Sequence, residues 1–237
     1  MIARGTFSLV YKVTAQDGCV YAVKRIKLDK KSRNREYEVF KEIDHMNVVK
    51  MHNMYYQSGK FKSDIIMNIV MDFIPMTISD VMSHFKKLKQ PMYSLLVKLY
   101  SFQLLKGLNY LHSVGYMHRD VKPLNCLIDP TCHVLKICDL GSAKSFKTGN
   151  PDEKSVTYIQ SRYYRAPECI FGNENYTYTI DIWSIGCTIA EMVKGSPLFK
   201  GENAQQQMIC IIQSIGTPKH SDFDEMAPNF PNKEMIL

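Results

Sequence analysis

No C-x-x-C pair occurs in the sequence. Its seven cysteines are scattered and odd in number, and 237 residues can bury a core without covalent staples. A reducing compartment, cytosol or nucleus, is therefore expected. The N-terminus shows no apolar run followed by a small-residue cleavage site, so no secretory leader is expected. The longest apolar stretches, DIIMNIVMDFI and TIDIWSIGCTIAEMV, are short or carry carboxylates. Neither reaches the roughly 18 residues of a membrane span, which predicts a soluble protein with no membrane partner. No basic stripe is interleaved with aromatics, so the net charge of +7 reads as solvated lysines and not as a nucleic-acid contact. Internal repeats and low-complexity tracts are also lacking. What remains is one large domain or two small ones.

Glycine is scarce where it would be informative. ARGTFSLV, residues 3–10, has the outline of a phosphate-covering hairpin, G-x-G-x-x-G-x-V. Ala3, Gly5 and Ser8 hold the three glycine positions, and Val10 is in place. Glycines there let backbone amides approach phosphates. Ala3 and Ser8 are the mildest replacements, and Ser8 offers a hydroxyl, so a modified and looser lid is expected.

The first quarter alternates like strands. FSLVYKV and CVYAVKRI are rich in β-branched and aromatic residues, with Gln16-Asp17-Gly18 as the turn between them. NREYEVFKEI carries Val39, Phe40 and Ile43 at helical spacing, and strand character returns at IIMNIVMDFI until Pro75 removes a backbone donor. Beyond that the pattern turns helical. From Tyr93 to His112 the residues Leu95, Leu96, Leu99, Phe102, Leu105, Leu108 and Leu111 predict an amphipathic helix with that stripe inward. Further helices are predicted over Asp181 to Val193 and Ala204 to Ile215. Strands followed by helices give an α+β fold of two lobes, joined near Asp72 to Pro75.

The most informative stretch is HRDVKPLNCLI, His118 to Ile128. An Asp, a Lys two residues on and an Asn three beyond follow a long helix. Eleven residues after Asn125 begins KICDLG, which sets Asp139 before a glycine. Such a cluster suits phosphoryl transfer: one carboxylate accepts the proton of an attacking hydroxyl, while an amide and a second carboxylate hold magnesium through oxygen. With YAVKRI around Lys24, DLG at Asp139 and RAPE at Arg165 to Glu168, the ordered set resembles the protein-kinase signature over nearly the whole chain.

That resemblance implies a bilobal kinase fold, a small β-rich N-lobe over 1–73 and a mostly helical C-lobe over 74–237. Both ends are expected to be short of the full fold, so Glu168 would lack its usual arginine partner and the chain would be a fragment or an incomplete gene product. The resemblance implies ATP and Mg2+ as cofactors. Lys24 would pair with the phosphates and with Glu36, Asp120 would be the base, Lys122 would steady the phosphoryl group, and Asn125 and Asp139 would bind metal. The ATP-binding set would be Ala3, Gly5, Ser8, Val10, Ala22 and Lys24, with Met71 as gatekeeper, Asp72 to Ile74 as hinge, and Leu127. Lys122 two residues after Asp120 resembles the serine/threonine-specific class.

YIQSRYYRAPECIFGNENYTYTIDIWSIGC, with CDLGSAK before it and IGTP after it, is similar to the glycogen synthase kinase-3 (shaggy) family. YIQSR also resembles the dual-specificity tyrosine-regulated kinases, which stay an alternative, as does a pseudokinase scaffold. The first resemblance implies protein substrates already phosphorylated four residues C-terminal to the target. Their phosphate would dock on Arg35, Arg119 and Lys144 through charge-assisted bonds. It also implies Tyr158 as an activation-loop phosphosite, and scaffold peptides on the C-lobe near Gly216-Thr217-Pro218. Leu140 in place of Phe is expected to pack beneath the helix of Glu36. Gln160 and Leu124 depart from the family pattern and are expected to lie near substrate.

Overall fold

The computed structural model describes residues 1–5, 8–28, 35–59, 64–147 and 155–228. The alternating segments form strands as their pattern dictates: β1 (Ala3–Arg4), β2 (Ser8–Thr14) and β3 (Val20–Leu28). Helix α1 (Arg35–Glu42) follows, then β4 (Met51–Ser58) and β5 (Ile65–Asp72). They make one antiparallel sheet in the order β1-β2-β3-β5-β4. Gly18 closes the β2–β3 hairpin at φ 82°, a left-handed conformation natural to glycine. Strand β4 escapes the sequence pattern for a physical reason. It is an edge strand with most residues exposed, so no inward face alternates with an outward one.

After Asp72 a short strand, β6 (Met76–Thr77), leads into α2 (Ile78–Lys87). The Thr77 hydroxyl accepts the Asp80 N–H at 3.1 Å, while the Asp80 carboxylate accepts the Thr77 N–H at 2.8 Å. This reciprocal capping box starts the helix. The remaining elements are α3 (Ser94–Ser113), β7 (Tyr116–Met117), β8 (Cys126–Asp129), β9 (Val134–Ile137), β10 (Lys144–Ser145), α4 (Pro167–Ile170), α5 (Thr179–Lys194), α6 (Ala204–Ile215) and α7 (His220–Met226). Strands β6, β8 and β9 form a small sheet, and β7 pairs with β10. The chain thus has a sheet-rich N-lobe and a helical C-lobe.

Helix α3 forms where its periodicity predicts, but of the expected stripe only Leu108 and Leu111 are fully turned to the core. Val97, Tyr100, Leu104, Leu108 and Leu111 are its buried apolar side chains. Leu95, Leu99, Phe102 and Leu105 point outward. The helix is apolar most of the way round, so spacing alone could not choose which stripe faces the core.

A turn after α1 joins the two lobes. The Asn47 side-chain amide donates to Gln103 Oε1 (3.0 Å) and to the Leu135 carbonyl (2.8 Å). The backbone exchanges Ile137 N–H to Asn47 O (2.8 Å) and Val49 N–H to Ile137 O (2.9 Å). His45 stacks on Tyr110 with ring centroids 4.7 Å apart. Gly107 of α3 permits this approach, because a Cβ there would sit 2.7 Å from the Asn47 carbonyl oxygen. Gly186 of α5 has no neighbour within 4 Å of the corresponding point.

Two glycine-to-alanine changes should therefore act in opposite directions. Gly107→Ala is expected to destabilise by about 1–3 kcal/mol through overpacking. Gly186→Ala should stabilise by about 1 kcal/mol through helix propensity alone. Urea unfolding of the two variants checks both signs.

Candidate active site

Strand β3 carries Lys24 across the sheet from Val10, and sets Ala22 opposite Met71 of β5. Ala22 and Met71 are buried. The Lys24 ammonium is bonded to both Glu36 oxygens at 2.8 Å and to Asp139 Oδ1 at 2.8 Å. Three separate elements meet in this cluster: the sheet, helix α1 and the segment after β9. Gly141 stands beside it, where a Cβ would lie 3.4 Å from Asp139 Oδ1 and 3.6 Å from Glu36 Oε2.

Burial pushes the Lys24 ammonium down, but Glu36 and Asp139 push it further up, so it remains a cation. Burial pushes the Glu36 carboxyl up by more than Lys24 draws it back. Burial also raises Asp139, yet the charge and hydrogen bond of Lys24 outweigh it and hold that carboxyl below its ordinary range. Leu140 is fully buried in the same core as Val39 and Phe40 of α1, so an apolar side chain of either size could support the helix of Glu36.

Asp120 is held from three directions. Lys122 Nζ donates to its Oδ2 at 2.7 Å, and the Asn125 amide donates to its Oδ2 at 3.1 Å and to its carbonyl at 2.8 Å. Ser161 donates both its N–H and its hydroxyl to Oδ1, each at 3.0 Å. Sequence reasoning missed Ser161, because it lies 41 residues further along the chain and no motif marks it. Lys122 Nζ also donates to Ser161 Oγ at 2.8 Å, which closes the ring.

The loop holding Asp120 depends on a second missed residue, Asp181 of α5. Asp181 has no exposure to solvent. Its carboxylate accepts the N–H of His118 (2.8 Å), the N–H of Arg119 (2.8 Å) and the ring of His112 (2.9 Å). Arg119 sits at φ 66°, a strained value for an arginine, and those bonds hold it there.

The donor set fits a magnesium–nucleotide pair. Asn125 spends its amide N–H on Asp120, which leaves its amide oxygen, and one Asp139 oxygen lies outside the Lys24 bond. No group of three His, Cys, Asp or Glu side chains gathers to hold a metal among the described residues. Magnesium bound here would therefore need phosphate oxygens as further ligands, as it does at nucleotide sites.

The other expected nucleotide contacts lie around this cluster. The Gly5 N–H donates to Ser8 O at 2.8 Å, next to Ala3. A Cβ on Gly5 would meet the Ser8 hydroxyl at 2.8 Å, a contact that rotation of the serine side chain would relieve. Leu127 lies half-buried on β8. Asp72 ends β5, and its N–H donates to the Lys50 carbonyl at 3.1 Å. Its carboxylate accepts from the Lys50 N–H (3.2 Å) and Lys136, with the His52 ring at 2.7 Å. Burial raises that carboxyl, but these partners pull it below its ordinary range.

Of the expected phosphate pocket, Arg119 donates to Ser142 O (2.6 Å) and Tyr176 OH (2.9 Å), and Lys144 donates to Ser155 Oγ (2.8 Å). The Arg35 side chain lies outside the described residues. Tyr158 is 79% exposed, with the Arg165 guanidinium 4.5 Å from its ring centroid. Leu124 is exposed, whereas the Gln160 side chain is buried. Its amide donates to Ile180 O (3.0 Å) and Ser184 Oγ (2.8 Å) and accepts the Ala166 N–H (3.0 Å). A buried amide with every partner supplied inside the fold reads as an anchor.

A family model for the protein kinase domain matches residues 1–235. The chain is also similar to glycogen synthase kinase 1 of Pyricularia oryzae, with 42% identity over 234 residues. The match takes in 97% of this chain and 58% of that protein's length.

Glu168 of α4 generates a pH prediction. It is half-buried, and no cation pairs with it among the described residues. Burial pushes its carboxyl above the ordinary 4.5. Folding therefore favours the neutral form, and this contribution is present below the ordinary value and lost as pH rises through the folded one. Glu168→Gln should leave stability near pH 4 unchanged and raise it near pH 8, as read by urea unfolding at the two pH values.

Proposed function

The chain belongs to the eukaryotic protein kinases, in their glycogen synthase kinase family, and we propose that it transfers the γ-phosphoryl group of ATP to serine or threonine hydroxyls of protein substrates. The observation that carries this reading is the Lys24 ammonium bonded at once to Glu36 and Asp139, each at 2.8 Å. A cation held in that position can turn to the phosphates of a bound nucleotide without first being assembled.

In the proposed reaction the Asp120 carboxylate accepts the proton of the substrate hydroxyl as its oxygen attacks the γ-phosphorus. The bond from phosphorus to the bridging oxygen breaks, and ADP leaves with that electron pair. Lys122 and Ser161 hold Asp120 in the required orientation, and Lys122 steadies the charge on the transferring group. Asn125 and Asp139 would hold magnesium, which supplies charge neutralisation on the phosphates when bound. Val10, Ala22, Met71, Leu127 and the backbone of Asp72 to Ile74 would enclose the adenine, with the lobes meeting near Asp72 to Pro75.

We also propose a preference for substrates phosphorylated four residues C-terminal to the target. Two observations support it. Arg119 donates to the Tyr176 hydroxyl, which in turn donates to Val156 O, and Lys144 donates to Ser155 Oγ. Both cations thus converge on residues 155–156, and Arg35 begins the helix that carries Glu36. A phosphate dianion there would gain charge-assisted bonds that hydroxyl groups supply only weakly. Tyr158 is proposed as a phosphorylation site, since its exposed ring already sits against Arg165.

Asp120→Asn should reduce peptide phosphorylation by about 10²–10⁴-fold, the usual cost of losing a general base. Unchanged turnover would remove Asp120 from this role. Arg35→Ala should lower activity on a primed peptide much more than on its unprimed counterpart. Equal losses on the two peptides would sink the priming proposal.

A further inference from the structure

Away from the nucleotide site, α2, the C-terminal end of α5 and α6 enclose a cleft of about 590 Å³. A second cleft of about 400 Å³ continues it along α2 and shares Met82, Lys86, Lys194 and Gly195 with the first. Four lysines line this continuous groove: Lys86, Lys89, Lys194 and Lys200. All four are exposed, and none pairs with a carboxylate among the described residues. Lys86 and Lys194 lie in the last turns of α2 and α5, where a cation also complements the helix dipole. Lys89 and Lys200 lie in loops and have no such role. Glu191 is the one carboxylate lining either cleft; its Oε2 accepts the Tyr164 hydroxyl at 2.6 Å, and burial pushes its carboxyl up. Phe85, Met92 and Met192 add an apolar floor.

The groove is also linked to the catalytic loop. Tyr164, bonded to Glu191, lies three residues beyond Ser161, whose N–H and hydroxyl hold Asp120. Arg119 and Lys144, assigned above to a phosphate C-terminal to the target, line neither cleft. A peptide that crosses Asp120 with that phosphate on their side leaves its N-terminal residues for a separate surface. We infer that this groove takes an acidic segment of the protein substrate, N-terminal to the target hydroxyl, with apolar side chains on the methionine floor. The inference rests on the kinase reading and adds a substrate class to it. Exposed charges of this kind act chiefly on affinity and association, and so on KM.

The test has a binding arm that needs no turnover. Fluorescence anisotropy would follow a fluorescein-labelled octapeptide of glutamate and leucine on the 237-residue chain, with a lysine-for-glutamate peptide as control. The acidic peptide should bind saturably and the basic one should not. Lys194→Glu combined with Lys200→Glu should weaken binding about tenfold, with the difference fading at high salt. Equal binding by the parent and the double variant would overturn the inference. So would loss of phosphatidylserine-vesicle capture in that variant without any change in peptide binding, which would point to a membrane surface instead. In the kinetic arm, an N-terminal acidic extension on a peptide substrate should lower KM about tenfold relative to a neutral extension, with kcat unchanged. The double variant should erase that difference and keep its activity on the neutral peptide. Equal KM values in the parent chain would overturn the inference, whereas saturable binding with no phosphorylation of either peptide would overturn the kinase reading.

Discussion

A single carboxylate with no access to water organises the catalytic half of this molecule. Asp181 accepts two consecutive backbone N–H groups, of His118 and Arg119, together with the His112 ring. A buried charge is stable only when its bonding capacity is met, and here helix α3 and the catalytic loop meet that of a carboxylate carried by helix α5. The bonds hold Arg119 in a left-handed conformation that its own side chain disfavours. From that fixed point the chain delivers Asp120, and Asp120 in turn gathers Lys122, Asn125 and Ser161. Remove the Asp181 anchor and the loop loses the reason for its shape.

The second constraint is electrostatic and lies between lobes. Lys24 comes from the sheet, Glu36 from α1 and Asp139 from the segment after β9, so one ammonium joins three elements with different packing partners. Breaking a buried ion pair by removing one partner costs about 3–5 kcal/mol, because the survivor keeps its burial without its bond. The arrangement is therefore sensitive to the position of α1. The Asn47 turn, the His45–Tyr110 stack and the close approach at Gly107 set that position from the other side.

Much of this was legible in the sequence, and the rest was hidden for identifiable reasons. Lys24, Asp120, Asn125 and Asp139 stand in motifs whose spacing is tied to their chemistry, and the structure brings all four into one region. Helices α3, α5 and α6 announced themselves by periodicity, and α6 begins and ends at the predicted residues. Thr77 and Asp80 spell a capping box that the sequence displayed but that went unread, so α2 was missed. The face of α3 could not be read, since a helix apolar on several sides carries no label for the inner one. Ser161 and Asp181 were invisible for a different reason. Their partners lie far along the chain, and a serine or a helical aspartate is ordinary until its neighbours are known.

Gln160 divides the segment that runs from Ser155 toward α4. Its side chain is fastened to Ile180, Ser184 and Ala166, and its carbonyl accepts the Arg165 guanidinium at 3.0 Å. Upstream lie Val156 and Tyr158, both exposed; downstream lies Ser161 with its two bonds to Asp120. The glutamine thus pins this segment to the frame of α5 between an exposed tyrosine on one side and the bonds to the catalytic carboxylate on the other. The alignment of Ser161 with Asp120 therefore has its own mooring one residue away, in the frame of α5, and does not hang from the exposed surface at Tyr158.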